Sequence, residues 1–139
     1  MTFYFEQPAK PSAELLTFPP IRLGRALFPI ADLIYIEAQV SYSQFYWLDD
    51  QSFQLGRSLK YHHDKLPSFW FIRIHRNYVV NRRFVERLES RDDGYWAHLS
   101  TDLTLPIARR RWHDVCEQMM GEGPVSTRAL RAIFYAPQK

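Results

Sequence analysis

The chain has 139 residues, 46% hydrophobic and 16% aromatic, which suits one domain with a real core plus tails. It lacks an uncharged apolar run of about 18 residues, so no membrane-spanning helix is expected, and Glu6 and Pro8 stand where a secretory signal would need apolar residues. A single cysteine, Cys116, excludes an internal disulfide and suits a reducing, cytoplasmic setting, while the net charge of +3 conceals a basic middle with twelve Lys/Arg against six Asp/Glu over residues 57–111.

Residues 1–20 carry Pro8, Pro11, Pro19 and Pro20, and no amphipathic period survives them, so a tail or linker is expected. From Ile21 the texture changes. Residues 21–28 (IRLGRALF) read as a first strand ended by Pro29, with a short turn around Ala31. LIYIEA (33–38) reads as a second strand, QVSYS as a polar turn and FYWL (45–48) as a third strand. Asp49, Asp50 and Gln51 supply turn chemistry, and SFQLG (52–56) returns as a fourth strand. Ser58 is placed to cap a helix of about two turns over LKYHHDKL, stopped by Pro67.

The stretch FWFIRIHRNYVVN (69–81) is central. Phe69 to Ile74 form a short, almost wholly apolar run that predicts a buried strand. It delivers His75, Arg76 and Asn77 as a polar tip, before Tyr78, Val79 and Val80 return to the core and Asn81 closes the stretch. Polar groups held at a tip by a buried scaffold are well placed for function. Phe84 to Leu88, YWAHLS (95–100) and LTLPI (103–107) predict consecutive hairpins turning at RDDG (91–94) and Thr101-Asp102. ARRRWHDVCEQMM (108–120) reads as a helix with Trp112, Val115 and Met119 on one face, stopped by Gly121. Residues 125–136 predict a last amphipathic helix bearing Leu130, Ile133 and Phe134, which packs on the domain or on a partner chain.

Most chemistries find no support. His62 and His63 are adjacent on a helix and diverge, while His75, His98 and His113 lack metal-ligand spacing, so no metal site and no cofactor are expected. There is no phosphate-binding glycine loop. Cys116 falls on the apolar side of a helix, where a plain buried thiol is expected. Asp49-Asp50 and Asp92-Asp93 are explained by turns, and no enzyme motif stands out. Nucleic acid fits better. Arg76 and Asn77 at one strand end and Arg109, Arg110 and Arg111 at another offer groups that read base edges or clamp phosphate, with Tyr42, Ser43 and Gln44 in a third turn. The three consecutive arginines also have a plain reading as a solvated helix start. Positive charge there opposes the helix dipole, and spacing leaves the two readings level.

Four segments in order, LIYIEAQVSYSQFYWLDD, SLKYHHDKL, FIRIHRNYVVN and LPIARRRWHDV, give the chain from about Ile21 to Met120 a resemblance to the LytTR family of DNA-binding domains, the output domains of two-component response regulators. The resemblance implies a mainly β, elongated antiparallel fold of short strands, with one short internal helix and a C-terminal helical segment. It implies a bacterial transcriptional regulator that binds double-stranded DNA at paired direct repeats, with loops entering successive major grooves. By position, it assigns DNA contact to Tyr42 or Ser43 in the first loop, Arg76 in the second and Arg110 in the last, with His75 and Asn81 as hydrogen-bonders that shape the loop. Asn77 and Ala108 stand where the family pattern has Ser, which removes a hydroxyl at each place. Family members often carry a receiver domain upstream, so the chain is expected to be either a stand-alone binder or an excised fragment. The expected layout is a Pro-rich tail over 1–20, the binding domain over 21–120 and a C-terminal extension over 121–139. The alternative role is a protein-interaction module, in which residues 121–139 dock a sensor, a regulatory partner or a second copy.

Overall fold

A computed structural model describes residues 1–7, 10–121 and 132–135, with the last four described through their backbone alone. Among these residues the chain is mainly antiparallel β. The strands are β1 (Thr2–Phe5), β2 (Ile21–Leu23), β3 (Ala26–Phe28), β4 (Leu33–Ala38), β5 (Ser43–Trp47) and β6 (Ser52–Leu55). They continue as β7 (Phe71–His75), β8 (Tyr78–Asn81), β9 (Val85–Arg91), β10 (Gly94–Leu99), β11 (Thr104–Ile107) and β12 (Ala132–Tyr135). The helices are α1 (Ala13–Thr17), α2 (Leu59–Asp64) and α3 (Trp112–Met120), the last preceded by a single 3-10 turn over Arg109–Arg111.

The strands form two sheets and a ribbon. One sheet runs β6-β5-β4-β8-β7, the other β11-β10-β9-β1-β12, and β2 pairs with β3. Within the first sheet β7 and β8 are largely buried on both faces, which explains why they read as nearly continuous apolar runs. Alternate residues go to opposite sides. Phe71 and Val79 enter a core with Leu15, Ile36, Phe45, Trp47, Leu59 and Trp70. Ile72, Ile74 and Val80 enter a second core with Leu88, Leu99, Leu105, Val115 and Met119. Each such side chain stabilises the fold by about 1.5–3 kcal/mol through burial, so the frame beneath the tip at residues 76–77 is anchored from both sides.

Local sequence explains the connections. Asp49 and Asp50 both adopt positive φ, 65° and 58°, between β5 and β6, as a tight hairpin turn demands. The Ser58 hydroxyl accepts the Tyr61 amide at 3.1 Å and starts α2. Asn81, fully buried, donates to the Leu33 carbonyl at 2.9 Å and accepts the Arg83 amide at 2.9 Å, a structural role as expected.

Four expectations are corrected. The N-terminal segment is not a tail: β1 pairs with β9 in the second sheet, and a Ser12-capped α1 buries Leu15. Pro11, Pro19 and Pro20 flank α1 instead of preventing it. Residues 21–28 are a hairpin rather than one strand, because Gly24 turns the chain with φ 64°. The strand of the central stretch begins at Phe71, not Phe69, since the Phe71 amide is turned back to the Pro67 carbonyl at 3.0 Å. In the expected last helix, Ala132–Tyr135 is instead a strand paired with β1, whose edge opposite β9 it fills. Residues 125–131 and 136 lie outside the described residues.

Candidate nucleic-acid interface

The β7–β8 hairpin ends in a two-residue tip, Arg76 and Asn77, both exposed. Its shape is fixed by its own side chains. Arg73, between the buried Ile72 and Ile74, donates from Nε to the His75 carbonyl at 2.9 Å and from a terminal nitrogen to the Arg76 carbonyl at 2.7 Å. His75 Nδ1 accepts the Asn77 amide at 3.1 Å, which requires that nitrogen to be unprotonated. Burial lowers the His75 pKa first, and the charges of Arg76, Arg111 and Arg73 lower it further, so the ring stays neutral as this bond requires.

Two neighbouring loops are tied to this hairpin through backbone. The Ala38 amide donates to the Asn77 carbonyl at 2.8 Å, and the Gln39 amide donates to the Tyr42 carbonyl at 2.8 Å, which folds the 39–42 loop beside the tip. On the other side the Ala108 amide donates to the Ile74 carbonyl at 2.9 Å and so docks the arginine turn on β7. Burial lowers the pKa of Arg73 first, and the nearby Arg111 charge lowers it further, as it also does for His75. Arg109 and Arg110 are exposed. Successive side chains on a 3-10 turn stand roughly 120° apart, so the three arginines fan out and do not share one direction.

Between the first loop and the tip lies an open cleft of about 620 Å³. It is lined by Ala38–Tyr42, Arg57–Lys60, Arg73, Arg76 and Asn77, with no carboxylate in the lining. Among the described residues, Arg57, Arg73, Arg76, Arg109, Arg110 and Arg111 have no carboxylate at ion-pair distance.

The basic middle of the chain is therefore divided. Arg82, 2% exposed, donates to the Phe69 carbonyl at 2.8 Å, the Met119 carbonyl at 3.1 Å and the Gln118 carbonyl, and holds the end of α3; burial lowers its pKa to about 10. Arg83 bonds the Ala31 carbonyl at 2.5 Å and Asp32 at 3.2 Å. Arg91 lies 3.8 Å from Glu89 and 3.6 Å from Asp93. These charges serve the fold, while Arg57, Arg73 and Arg76, which have no carboxylate partner among the described residues, line the cleft beside the tip.

The expected contact residues fare unequally. Tyr42 lines the cleft, as do Arg76 and Asn77. Gln44 is half-buried on β5 opposite Glu37 and Gln54, away from the turn. Ser43 is a correction: it is fully buried, and its hydroxyl donates to the Arg57 carbonyl at 3.1 Å. The pleat explains this, since Ser43 shares the inward face with Phe45 and Trp47. Arg57, Lys60 and Arg73 escaped the sequence reading. Alternation along β7 would have flagged Arg73, and the basic pair bracketing the Ser58 cap would have flagged the other two. His62 and His63 diverge as expected, with their Nε2 atoms at the Gly56 carbonyl (2.6 Å) and the Phe71 carbonyl (2.8 Å). Cys116 is half-buried, and burial raises its thiol pKa to about 11.

The class of fold is thus an antiparallel two-sheet β domain with a cationic hairpin tip and, among the described residues, no helix at that tip. A family model described as the LytTr DNA-binding domain matches residues 24–120, and the chain belongs to that family. Among solved structures, the chain is similar to the LytTr DNA-binding domain of a protein described as a methyl-accepting/DNA response regulator from Bacillus cereus. The TM-score is 0.64 at 15% identity, over 73% of this chain and 96% of the other. No curated protein matches the chain significantly.

Proposed function

We propose that the chain is a sequence-specific transcriptional regulator that binds double-stranded DNA in a bacterial cytoplasm, as the output part of a response regulator. Its loops read successive major grooves at paired direct repeats. Arg76 and Arg110 read bases; Tyr42, Asn77, Arg109 and Arg111 add phosphate or sugar contacts. Gln44 is a peripheral member of the set. The observation that carries this reading is the pair of backbone bonds, Ala38 to Asn77 and Ala108 to Ile74, that lock three loops around one cationic tip. Guanidinium forks left without carboxylates match guanine edges and phosphates, and family membership supplies DNA as the polyanion.

The test is selection from a random duplex pool, followed by gel shifts on the selected site. Arg76→Ala or Arg110→Ala should each lose roughly 1–3 kcal/mol of affinity for the selected site, with relaxed preference at one position. Unchanged affinity and unchanged preference for both variants would refute the base-reading assignment.

A further inference from the structure

Arg57 carries backbone strain immediately before the Ser58 cap of α2. Its φ is +82°, in the left-handed region that L side chains enter at a cost. The adjacent Gly56, which would enter that region freely, does not do so. The strained residue is held in place by the buried Ser43 hydroxyl, which donates to its carbonyl at 3.1 Å. Its guanidinium lies over the Tyr61 ring, 4.7 Å from the centroid, a contact that orients the group and leaves its charge available. One turn on, Lys60 pairs with Asp64 at 2.7 Å, but both side chains are largely exposed, so the pair is weak and exchangeable. Both cations line the carboxylate-free cleft together with Arg73 and Arg76.

We infer that Arg57 and Lys60 form a phosphate clamp for the backbone of duplex DNA, seated in the cleft between the 39–42 loop and the Arg76–Asn77 tip, with Ser43 as a positioning residue that holds Arg57. The inference rests on the DNA-binding reading of the neighbouring loops. Its chemistry differs from theirs: backbone contacts fix register and carry no sequence information. An Arg in a fixed plane and a Lys on a flexible stem suit one phosphodiester approached from two sides.

The experiment measures binding of the full chain to two labelled duplexes, one selected from a random pool and one scrambled, across a salt series. Arg57→Gly removes the guanidinium and suits the positive φ, so it separates loss of contact from misfolding. Arg57→Gly combined with Lys60→Ala should weaken both duplexes by the same factor and reduce the slope of log affinity against log salt by about two, roughly one per lost contact. Ser43→Ala should weaken binding in the native background and have no further effect in the Arg57→Gly background. An unchanged slope, or a loss confined to the selected duplex, would overturn the clamp. Failure of the unaltered chain to bind either duplex would overturn the DNA reading along with it.

Discussion

Asn81→Ala tests whether the asparagine closing the central stretch supports the fold or meets the ligand. The side chain is 0% exposed and satisfies two backbone groups, the Leu33 carbonyl at 2.9 Å and the Arg83 amide at 2.9 Å, with the Ile30 carbonyl at 3.4 Å as a weaker third. Truncation leaves both groups without partners, at about 1–3 kcal/mol each, and adds a small void, so a total loss of roughly 3–5 kcal/mol is expected. That is a large share of the roughly 5–15 kcal/mol by which domains are stable. Asn81→Asp is a sharper probe. It keeps the acceptor for Arg83 but turns a second oxygen toward the Leu33 and Ile30 carbonyls, so at neutral pH it should cost at least as much as alanine. Because burial raises that carboxyl's pKa in the folded state, the deficit should shrink on acidification, as the neutral acid regains a donor. Urea unfolding followed by tryptophan fluorescence gives both numbers. An Asn81→Ala loss below about 1 kcal/mol, against the cost expected for buried unpaired groups, would refute the reasoning. So would weakened DNA binding by a fully stable variant.

Two further outcomes follow from the same geometry. The folded-state pKa of His75 is depressed below its ordinary 6.5, so the neutral ring stabilises the tip fully above that pH, and the contribution is lost as pH falls through the folded value. Proton NMR should show the His75 ring titrating below 6.5 and the Asn77 amide losing protection in the same step; a ring titrating above 6.5 would count against it. A chain trimmed to residues 24–120, the extent of the family match, loses the burial of Phe5 and Leu15 and the bond from Trp70 Nε1 to Glu14 at 2.8 Å. At about 1.5–3 kcal/mol for each side chain and about 1 for the bond, the trimmed chain should be roughly 4–7 kcal/mol less stable, and an unchanged urea midpoint would show that β1 and α1 contribute nothing.

Much of the frame can be read from local sequence because its causes are local. The Ser58 cap, the paired aspartates at 49–50 and the RDDG turn each act within four residues, and each stands where expected. The nearly continuous apolar run from Phe69 to Ile74 identified the scaffold of the tip, although the strand itself starts at Phe71. The four ordered segments between Leu33 and Val115 pointed to the family, because residue order and spacing are properties of the sequence itself.

Only the tertiary structure decided matters of long-range pairing and facing. Thr2–Phe5 sits beside β9 more than eighty positions later in sequence, where Phe3 faces Leu88, and no local signal encodes that partner. Ser43 belongs to the core and not to the turn because β5 already begins with it, and the pleat turns it to the side of Phe45 and Trp47. The cap-flanking charge of Arg57 is visible in sequence, but its positive φ and the hydroxyl fourteen residues away that bonds its carbonyl are not. The amino-acid order determined which segments pleat and which tips carry charge. Packing the two sheets against a common core decided which of those charges are consumed by the fold and which are left facing outward.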